Sequence, residues 1–245
     1  MDQVVLTIIE NAEAAKDVRR MVLIGDVAAV SKPGQFINIA LSGRFLRRPI
    51  SVCDRSGDTV TILYKVVGKG TAQMAGMKPG DTLDVLTGLG NGFDIHAAQG
   101  HTMLIGGGIG AAPLYWLGRE LKARGIETTA VLGFNTEADV CLEHEFAAVC
   151  ERVILTTADG SRGVKGFVTD ALDGLACDYF YACGPEPMLK AVWKTSVSDG
   201  EFSFEERMGC GFGACMGCTC RTVTGWKRIC RDGPVLRKEE ILWAD

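Results

Sequence analysis

Apolar residues in the first 98 positions recur with period two, in short β-branched runs at 4–9, 18–24, 36–41, 50–53, 60–66 and 82–86. Strand side chains alternate between faces, so each run predicts a strand with one buried face. Pro and Gly stand where tight turns need them, in Lys32-Pro33-Gly34-Gln35 and Lys78-Pro79-Gly80-Asp81, and Ser56-Gly57-Asp58 supplies a third turn. The expectation is a small antiparallel barrel with one helical piece at 71–75. Near residue 99 the pattern changes to strand, loop and helix. Strands are predicted at 102–105, 128–133, 152–156 and 179–182, and helices at 143–150, 169–175 and 186–193. Leu114, Leu117 and Leu121 share one face of a further helix, which Pro113 opens and Gly125 ends. Such alternation predicts a doubly wound parallel sheet. The fold class expected is therefore α/β plus β in three units: a barrel at 1–98, an α/β domain at 99–201 and a small C-terminal domain at 202–245.

Composition narrows the partners. At 47% hydrophobic and 23% charged, the 245 residues are ordinary for a water-soluble globule. A net charge of −4 with scattered Lys and Arg forms no basic stripe, which argues against nucleic acid. No signal-peptide pattern stands at the start and no apolar run is long enough to span a membrane, so no membrane role and a cytoplasmic location are expected. Ten cysteines then read as thiols of a reducing compartment.

Four of those cysteines crowd one stretch, Cys210-Gly-Phe-Gly-Ala-Cys215-Met-Gly-Cys218-Thr-Cys220, with Cys230 following in Arg228-Ile-Cys230-Arg-Asp-Gly. Cys210, Cys215, Cys218 and Cys230 match the Cys-x4-Cys-x2-Cys…Cys spacing that wraps a plant-type [2Fe-2S] cluster. Gly209, Gly211, Gly213 and Gly217 let the loop turn its amides toward charged sulfurs. Zinc, a disulfide pair and idle buried thiols are the rival readings; zinc favours two short pairs, and only Cys215-x2-Cys218 is one. Cys220 sits too close to Cys218 to ligate the same cluster and reads as a packed free thiol.

Two further stretches suggest phosphate chemistry. Arg48-Pro49-Ile50-Ser51 sets a cation and a hydroxyl on a stiffened strand, and Gly68-Lys69-Gly70-Thr71 opens a helix with small residues, a pair that suits a pyrophosphate. A surface salt bridge and an ordinary glycine turn fit the same residues. Gly106-Gly107-Gly108-Ile109-Gly110-Ala111 follows a strand and precedes a helix, as a dinucleotide-binding GxGxxA does, with Gly106, Gly108 and Gly110 as candidates. Cys183-Gly184-Pro185 ends a later strand of the same sheet, where ligands lie in such folds, although Cys183 also suits a small core filler. The loop after the second strand, 131–137, contains no Arg for a 2′-phosphate, which favours NAD over NADP, with Asn135 or Glu137 as the ribose contact.

The Arg48-Pro-Ile-Ser51 and Gly70-Thr71 pair resembles the flavin signature of the ferredoxin reductase superfamily, whose barrel holds FAD. That resemblance implies Arg48 at the FAD pyrophosphate, Ser51 near flavin N5, Pro49 and Ile50 along the isoalloxazine, and Lys65, Val66 and Val67 bordering it through their backbone. It also places the Cys183 stretch beside the nicotinamide. With Glu206-Arg-Met-Gly-Cys210 and Cys230-x-Asp232-Gly-Pro-Val235 added, nearly the whole chain resembles the electron-transfer subunits of class B dihydroorotate dehydrogenase. Cys220 and Leu236, where an aromatic is expected, depart from that pattern. The resemblance implies FAD, a [2Fe-2S] cluster and NAD in one chain. It also implies an FMN-containing dihydroorotate dehydrogenase catalytic subunit as partner, in a heterotetramer of two copies of each. Subunits of cytoplasmic hydrogenases and of NADH-dependent ferredoxin:NADP oxidoreductases share this arrangement. A stand-alone ferredoxin or flavodoxin reductase and a zinc module on a nucleotide sensor are the other readings.

Overall fold

The computed structural model describes residues 1–243. Six strands close the N-terminal barrel: β1 (Asp2–Ala15), β2 (Val18–Ile24), β3 (Phe36–Ile39), β4 (Arg48–Ser56), β5 (Thr59–Lys65) and β6 (Thr82–Leu89), joined in the order β1-β2-β5-β4-β3-β6. All pairings are antiparallel. Leu6, Ile8, Met21, Leu23, Ile37, Ile39, Val52 and Ile62 are buried in its interior, as the alternation predicts. β1 runs six residues beyond the expected end at Ile9, because polar Glu10 to Glu13 stay paired with β2 on the outside of the barrel.

Asn11, inside that extension, has a structural task. Its Nδ2 donates to the carbonyls of Met74 and Met77, 2.9 Å each, and its Oδ1 accepts the Tyr64 hydroxyl at 2.9 Å. These bonds satisfy carbonyls at the C-terminal end of α1 (Lys69–Ala75), which helices otherwise leave open, and pin the helix to the barrel wall.

The second half is a seven-stranded sheet. Its strands are β7 (His101–Gly107), β8 (Glu127–Phe134), β9 (Arg152–Thr157), β10 (Val164–Lys165), β11 (Tyr179–Cys183), β12 (Asp199–Ser203) and, after the β13 (Thr219–Thr222) and β14 (Gly225–Arg228) hairpin, β15 (Val235–Arg237). The order is β10-β9-β8-β7-β11-β12-β15. Helices α2 (Ala112–Ala123), α3 (Glu143–Val149), α4 (Val168–Leu172) and α5 (Glu186–Thr195) connect the strands. Six strands are parallel, and β15 is antiparallel to β12. The sheet is therefore not wholly parallel. Sequence patterning misses β10, β12 and β15: two are two or three residues long, β12 is interrupted by Gly200 and Glu201, and β15 pairs with a strand that precedes the cysteine loop. Leu236, 2% exposed, needs no aromatic ring, since it packs opposite Phe202 in that ladder.

The parts interlock. Trp116 of α2 packs into the barrel's apolar cluster, and Arg119 donates to Asp54 Oδ2 at 3.1 Å and to the Arg55 carbonyl at 2.6 Å. The Asn91 side chain, between barrel and sheet, donates to the Val235 carbonyl at 2.7 Å and accepts its N–H at 3.1 Å. Among the described residues no helix is long and apolar enough to cross a membrane.

Glu201 lies buried in β12, 3% exposed, accepting the Asp94 N–H at 3.0 Å. Burial, reinforced by the Asp94 charge, pushes its carboxyl up to about 7. A carboxyl whose folded pKa is raised binds its proton more tightly in the folded state, so stability falls as pH rises from its unfolded value toward about 7. Glu201→Gln, which mimics the neutral acid, is expected to raise the melting temperature at pH 8 by roughly 4–8 °C and to leave it nearly unchanged at pH 5. Equal shifts at both pH values in thermal melts would count against titration of Glu201.

Candidate functional site

The cysteine loop is shaped around its sulfurs. Cys210 Sγ accepts the N–H of Ala214 at 3.2 Å and of Cys215 at 3.4 Å, while Cys215 Sγ accepts those of Cys210 at 3.4 Å and Gly217 at 3.5 Å. A side chain at Gly209 would put its Cβ 3.1 Å from Cys215 Sγ, and Gly211 and Gly213 take positive φ of 79° and 92°, which an L side chain resists. The β13–β14 hairpin then brings in the distant ligand. Thr219 pairs with Arg228, Ile229 next to it donates its N–H to the Cys218 carbonyl at 3.1 Å, and the following N–H, of Cys230, donates to Cys218 Sγ at 3.4 Å.

The four sulfurs thus form two pairs, Cys210 with Cys215 and Cys218 with Cys230. Two thiolates on each of two irons is the demand of a [2Fe-2S] cluster, whereas a structural zinc needs its ligands around one point. No disulfide joins any of the ten cysteines. Burial opposes ionisation of Cys210, but N–H groups of Cys215, Phe212 and Ala214 and the Cys215 thiol together lower it to about 6. Burial instead pushes Cys150 and Cys141, far from the loop, up to about 11 and about 12. Thiolate stabilisation is confined to the Cys210 end of the loop, since burial and the neighbouring Cys218 push Cys230 up to about 12. Cys220, on the hairpin, lines a separate cleft with Phe204 and Trp243.

Sequence reasoning missed the brace of this loop. Arg228 forks onto Asp232, Nε to Oδ2 at 2.9 Å and Nη2 to Oδ1 at 3.1 Å, while its Nη1 donates to the Gly213 carbonyl at 3.0 Å. One guanidinium joins the turn carrying Cys230 to the loop carrying Cys210 and Cys215. The spacing of four between Arg228 and Asp232 was the available signal.

On the barrel, Arg48, Pro49, Ile50 and Ser51 form the half-buried start of β4. The fold brings Arg48 against Gly70, where a Cβ would lie 2.2 Å from Nε and 2.8 Å from Nη2. Thr71 Oγ1 accepts the N–H groups of Val67 at 3.0 Å and Gly68 at 3.2 Å, fixing the entry to α1. The guanidinium and the helix start therefore form one cradle in which a side chain at 70 would push the Arg48 guanidinium from its present place. Val66 donates its N–H to the Asp17 carbonyl at 2.7 Å, Val67 is 78% exposed, and the Lys65 side chain turns to a second cleft, 3.8 Å from Asp139.

That cleft, about 380 Å³, opens between barrel and sheet, lined by Lys65, Gly107, Gly108, Phe134, Asn135 and Pro185 among others. It lies at the ends of β7 and β11, where the strand order reverses. Gly108 takes φ +54° and lines it, whereas Gly106 and Gly110 serve packing: a Cβ at Gly110 would lie 2.5 Å from the Cys183 carbonyl. Gly107, not singled out beforehand, lines the cleft, and the helix opens through a 3₁₀ turn at Gly108–Ala111. Cys183 is 2% exposed and its thiol is pushed up by burial, so it reads as core, while Gly184 borders the neighbouring cleft. The loop after β8 has no arginine of its own, yet the fold brings Arg162 to it, held by Glu137 at 3.1 Å and Glu143 at 2.6 Å. Arg162 and Lys65 both face carboxylates there, an arrangement that gives a 2′-phosphate little attraction.

Comparison with known proteins agrees with this geometry. The iron–sulfur cluster binding domain of dihydroorotate dehydrogenase B matches residues 205–242, and the oxidoreductase NAD-binding domain matches 104–194. A solved structure of an NADH-dependent reduced ferredoxin-NADP oxidoreductase superposes with TM-score 0.89 at 33% identity, over 98% of this chain and 90% of that one. A ferredoxin NADP+ reductase from Neisseria gonorrhoeae with bound FAD and NADP shares the fold over 79% of this chain and 89% of that one, with TM-score 0.68 at 19% identity. The fold is that of a ferredoxin reductase-type flavoprotein for FAD and NAD that carries a C-terminal iron–sulfur domain. The electron transfer subunits of dihydroorotate dehydrogenase B (NAD(+)) from Geobacillus sp. strain WCH70 and Fusobacterium nucleatum subsp. nucleatum are 42% and 43% identical, over 99% and 96% of both chains. The chain belongs to the family of dihydroorotate dehydrogenase B electron transfer subunits.

The paired sulfurs predict which thiols matter. Cys230→Ser is expected to abolish or perturb the cluster's visible absorption and iron content, whereas Cys220→Ser leaves both unchanged. Iron analysis of anaerobic protein decides, and the opposite pattern would move the fourth ligand to Cys220.

Proposed function

We propose that this chain passes electrons from the oxidation of dihydroorotate, on an FMN-containing partner subunit, through a [2Fe-2S] cluster and FAD to NAD+, in pyrimidine biosynthesis. The net reaction is dihydroorotate plus NAD+ to orotate, NADH and a proton. A nicotinamide takes two electrons as hydride and an iron–sulfur cluster takes one at a time, so a flavin between them supplies the conversion. The observation that carries this reading is the union of three sites in one chain, whose family takes its name from a subunit of a larger enzyme.

In this reading Cys210, Cys215, Cys218 and Cys230 hold the cluster. Arg48 and the Gly70-Thr71 turn hold the FAD pyrophosphate, Pro49 and Ile50 flank the isoalloxazine, and Ser51 stands near its N5. Lys65, Val66 and Val67 border the flavin. Gly108 and Pro185 line the nicotinamide cleft with Gly107, while Gly106, Gly110, Cys183 and Gly184 pack behind its wall. The three units at 1–98, 99–201 and 202–245 carry one group each, and two copies of each subunit assemble in the cytoplasm. The likeness to the ferredoxin-NADP oxidoreductase supports the same internal path with another partner. Identity of 42–45% to the dihydroorotate dehydrogenase subunits, against 33%, favours the first partner.

Two experiments test this. Gly70→Ala places a methyl where the Arg48 guanidinium lies, so FAD is expected to bind about tenfold more weakly or worse, with Arg48→Ala at least as impaired. Undiminished flavin retention in both variants refutes the pyrophosphate assignment. For the partner, the tagged chain is purified from its native cell. The expected companion is an FMN protein in equal amount that reduces NAD+ with dihydroorotate only in the presence of this chain. A hydrogenase, a larger ferredoxin-NADP oxidoreductase subunit or no companion overturns the assignment.

A further inference from the structure

Arg162 stands at the rim of the cleft between barrel and sheet, in the turn after β9 that lies against the loop after β8. Ala158 donates its N–H to the Phe134 carbonyl at 3.0 Å, Asp159 donates its own to the Asn135 carbonyl at 3.3 Å, and the Glu137 N–H donates to Ser161 Oγ at 2.7 Å. The two loops are laced side by side, and Phe134 and Asn135 line the cleft. Thr157 fixes the backbone of the arginine itself, its hydroxyl donating to the Arg162 carbonyl at 2.8 Å and accepting the Arg162 N–H at 3.0 Å. Just beyond, a Cβ on Gly163 (φ +68°) would lie 2.3 Å from the Leu155 carbonyl oxygen, so the turn is tight. In a doubly wound sheet the adenosine ribose of a dinucleotide is met at the end of the second strand, here β8.

The guanidinium is divided between two acids. Its Nη1 donates to Glu137 Oε1 at 3.1 Å and its Nη2 meets Glu143 Oε2 at 2.6 Å, so the two terminal nitrogens, which together grip a phosphate, are taken up by separate carboxylates. The group is not sealed away: the Arg162 side chain is 40% exposed, that of Glu137 58% and that of Glu143 28%. Ion pairs this exposed contribute little to folding, so stability is a weak reason for two carboxylates on one arginine. Their effect on a ligand is larger. The three side chains together carry one net negative charge, which a ribose 2′-hydroxyl tolerates and a 2′-phosphate does not. Lys65, the cation that lines the cleft itself, faces Asp139 in the same manner.

We propose that Arg162 is a cation withheld from the coenzyme: Glu137 and Glu143 occupy its two arms, and this occupation, rather than the want of an arginine, makes the chain take NAD in place of NADP. The proposal rests on the reading of the cleft as a nicotinamide coenzyme site and adds the residues that set the choice. Discrimination of this kind works against the competing ligand, by satisfying in advance the group that ligand needs and by setting like charge beside it. Glutamine at 137 and 143 keeps the shape of both side chains and removes their charge. The guanidinium is then left with an uncompensated charge at the rim, where a 2′-phosphate supplies the missing anion.

The test uses the full chain with its flavin bound, reduced anaerobically by NADH or NADPH over a range of concentrations and followed by stopped flow. In the double variant Glu137→Gln with Glu143→Gln, apparent affinity for NADPH is expected to rise by about tenfold, read on NADPH itself and not on its ratio to NADH. Adding Arg162→Ala cancels that gain, a dependence that a purely structural arginine would not produce. Unchanged affinity for NADPH in the double variant, or a gain that survives Arg162→Ala, overturns the proposal. Where the double variant does not fold with its flavin, Glu143→Gln alone is titrated with 2′,5′-ADP as inhibitor of reduction by NADH. Inhibition about threefold tighter than in the unmutated chain supports the proposal, and unchanged inhibition overturns it. Failure of NADH to reduce the flavin of the unmutated chain refutes the cleft assignment and the proposal with it, an outcome distinct from active NADH without a gain for NADPH.

Discussion

Holding four sulfurs together, two buried and two nearer the surface, is the requirement around which the C-terminal loop is arranged. Thiolates need N–H donors aimed at them, and a loop can supply several only if its backbone turns inward. Gly211 and Gly213 permit that turn with positive φ, and Gly209 keeps its Cβ position clear for Cys215. The β13–β14 hairpin supplies Cys230 at the point where Cys218 waits, and Arg228 binds the two halves through Asp232 and the Gly213 carbonyl. Cys210 is lowered to about 6 by the N–H groups around it, while burial raises Cys230, within the same site, and Cys141, outside it, to about 12, so donors and burial tune one residue type in opposite directions.

The loop is also tied to both other units, and these ties bring the three sites together. After the cluster turn the chain returns as β15 to the edge of the nucleotide sheet, while Asn91 brackets Val235 from the linker and Asn38 reaches Cys210 from the barrel. Trp116 and Arg119 dock the first helix of the sheet domain on the barrel. Electron transfer needs short and constant separations, and a set of buried amide and guanidinium contacts supplies rigidity that apolar packing alone would not direct. The cleft between barrel and sheet uses charge differently: carboxylates occupy Arg162 and Lys65, so the loop after β8 holds its cations in pairs.

Local chemistry made much of this legible in the chain. Period-two runs located all six barrel strands, and glycine spacing located the loop after β7. Four cysteines named a cluster before any coordinates, because a ligand set is a matter of residue type and short separations. The Arg48 stretch and Gly70 were also visible, although their meeting was not: nothing in the spacing of 48 and 70 shows that a guanidinium needs the space a Cβ would take.

Tertiary structure alone decided the contacts between residues far apart in the chain. β15 joins a sheet whose neighbouring strand ends 32 residues earlier, at Ser203 against Val235, and too short a run gives no periodic signal. Asn11 caps α1 from across the barrel, Arg162 reaches Glu137 from another loop, and Asn38 meets Cys210 from 172 residues away. The sequence determined which groups are present and which short loops they form, since side-chain alternation and ligand spacing act within a few residues. The fold decided which glycines line the cleft and which only pack, that Cys183 is core, and that one buried asparagine stands between the cluster loop and the flavin strand. These depend on long-range packing, where the neighbour that satisfies a polar atom is set by topology and not by proximity along the chain.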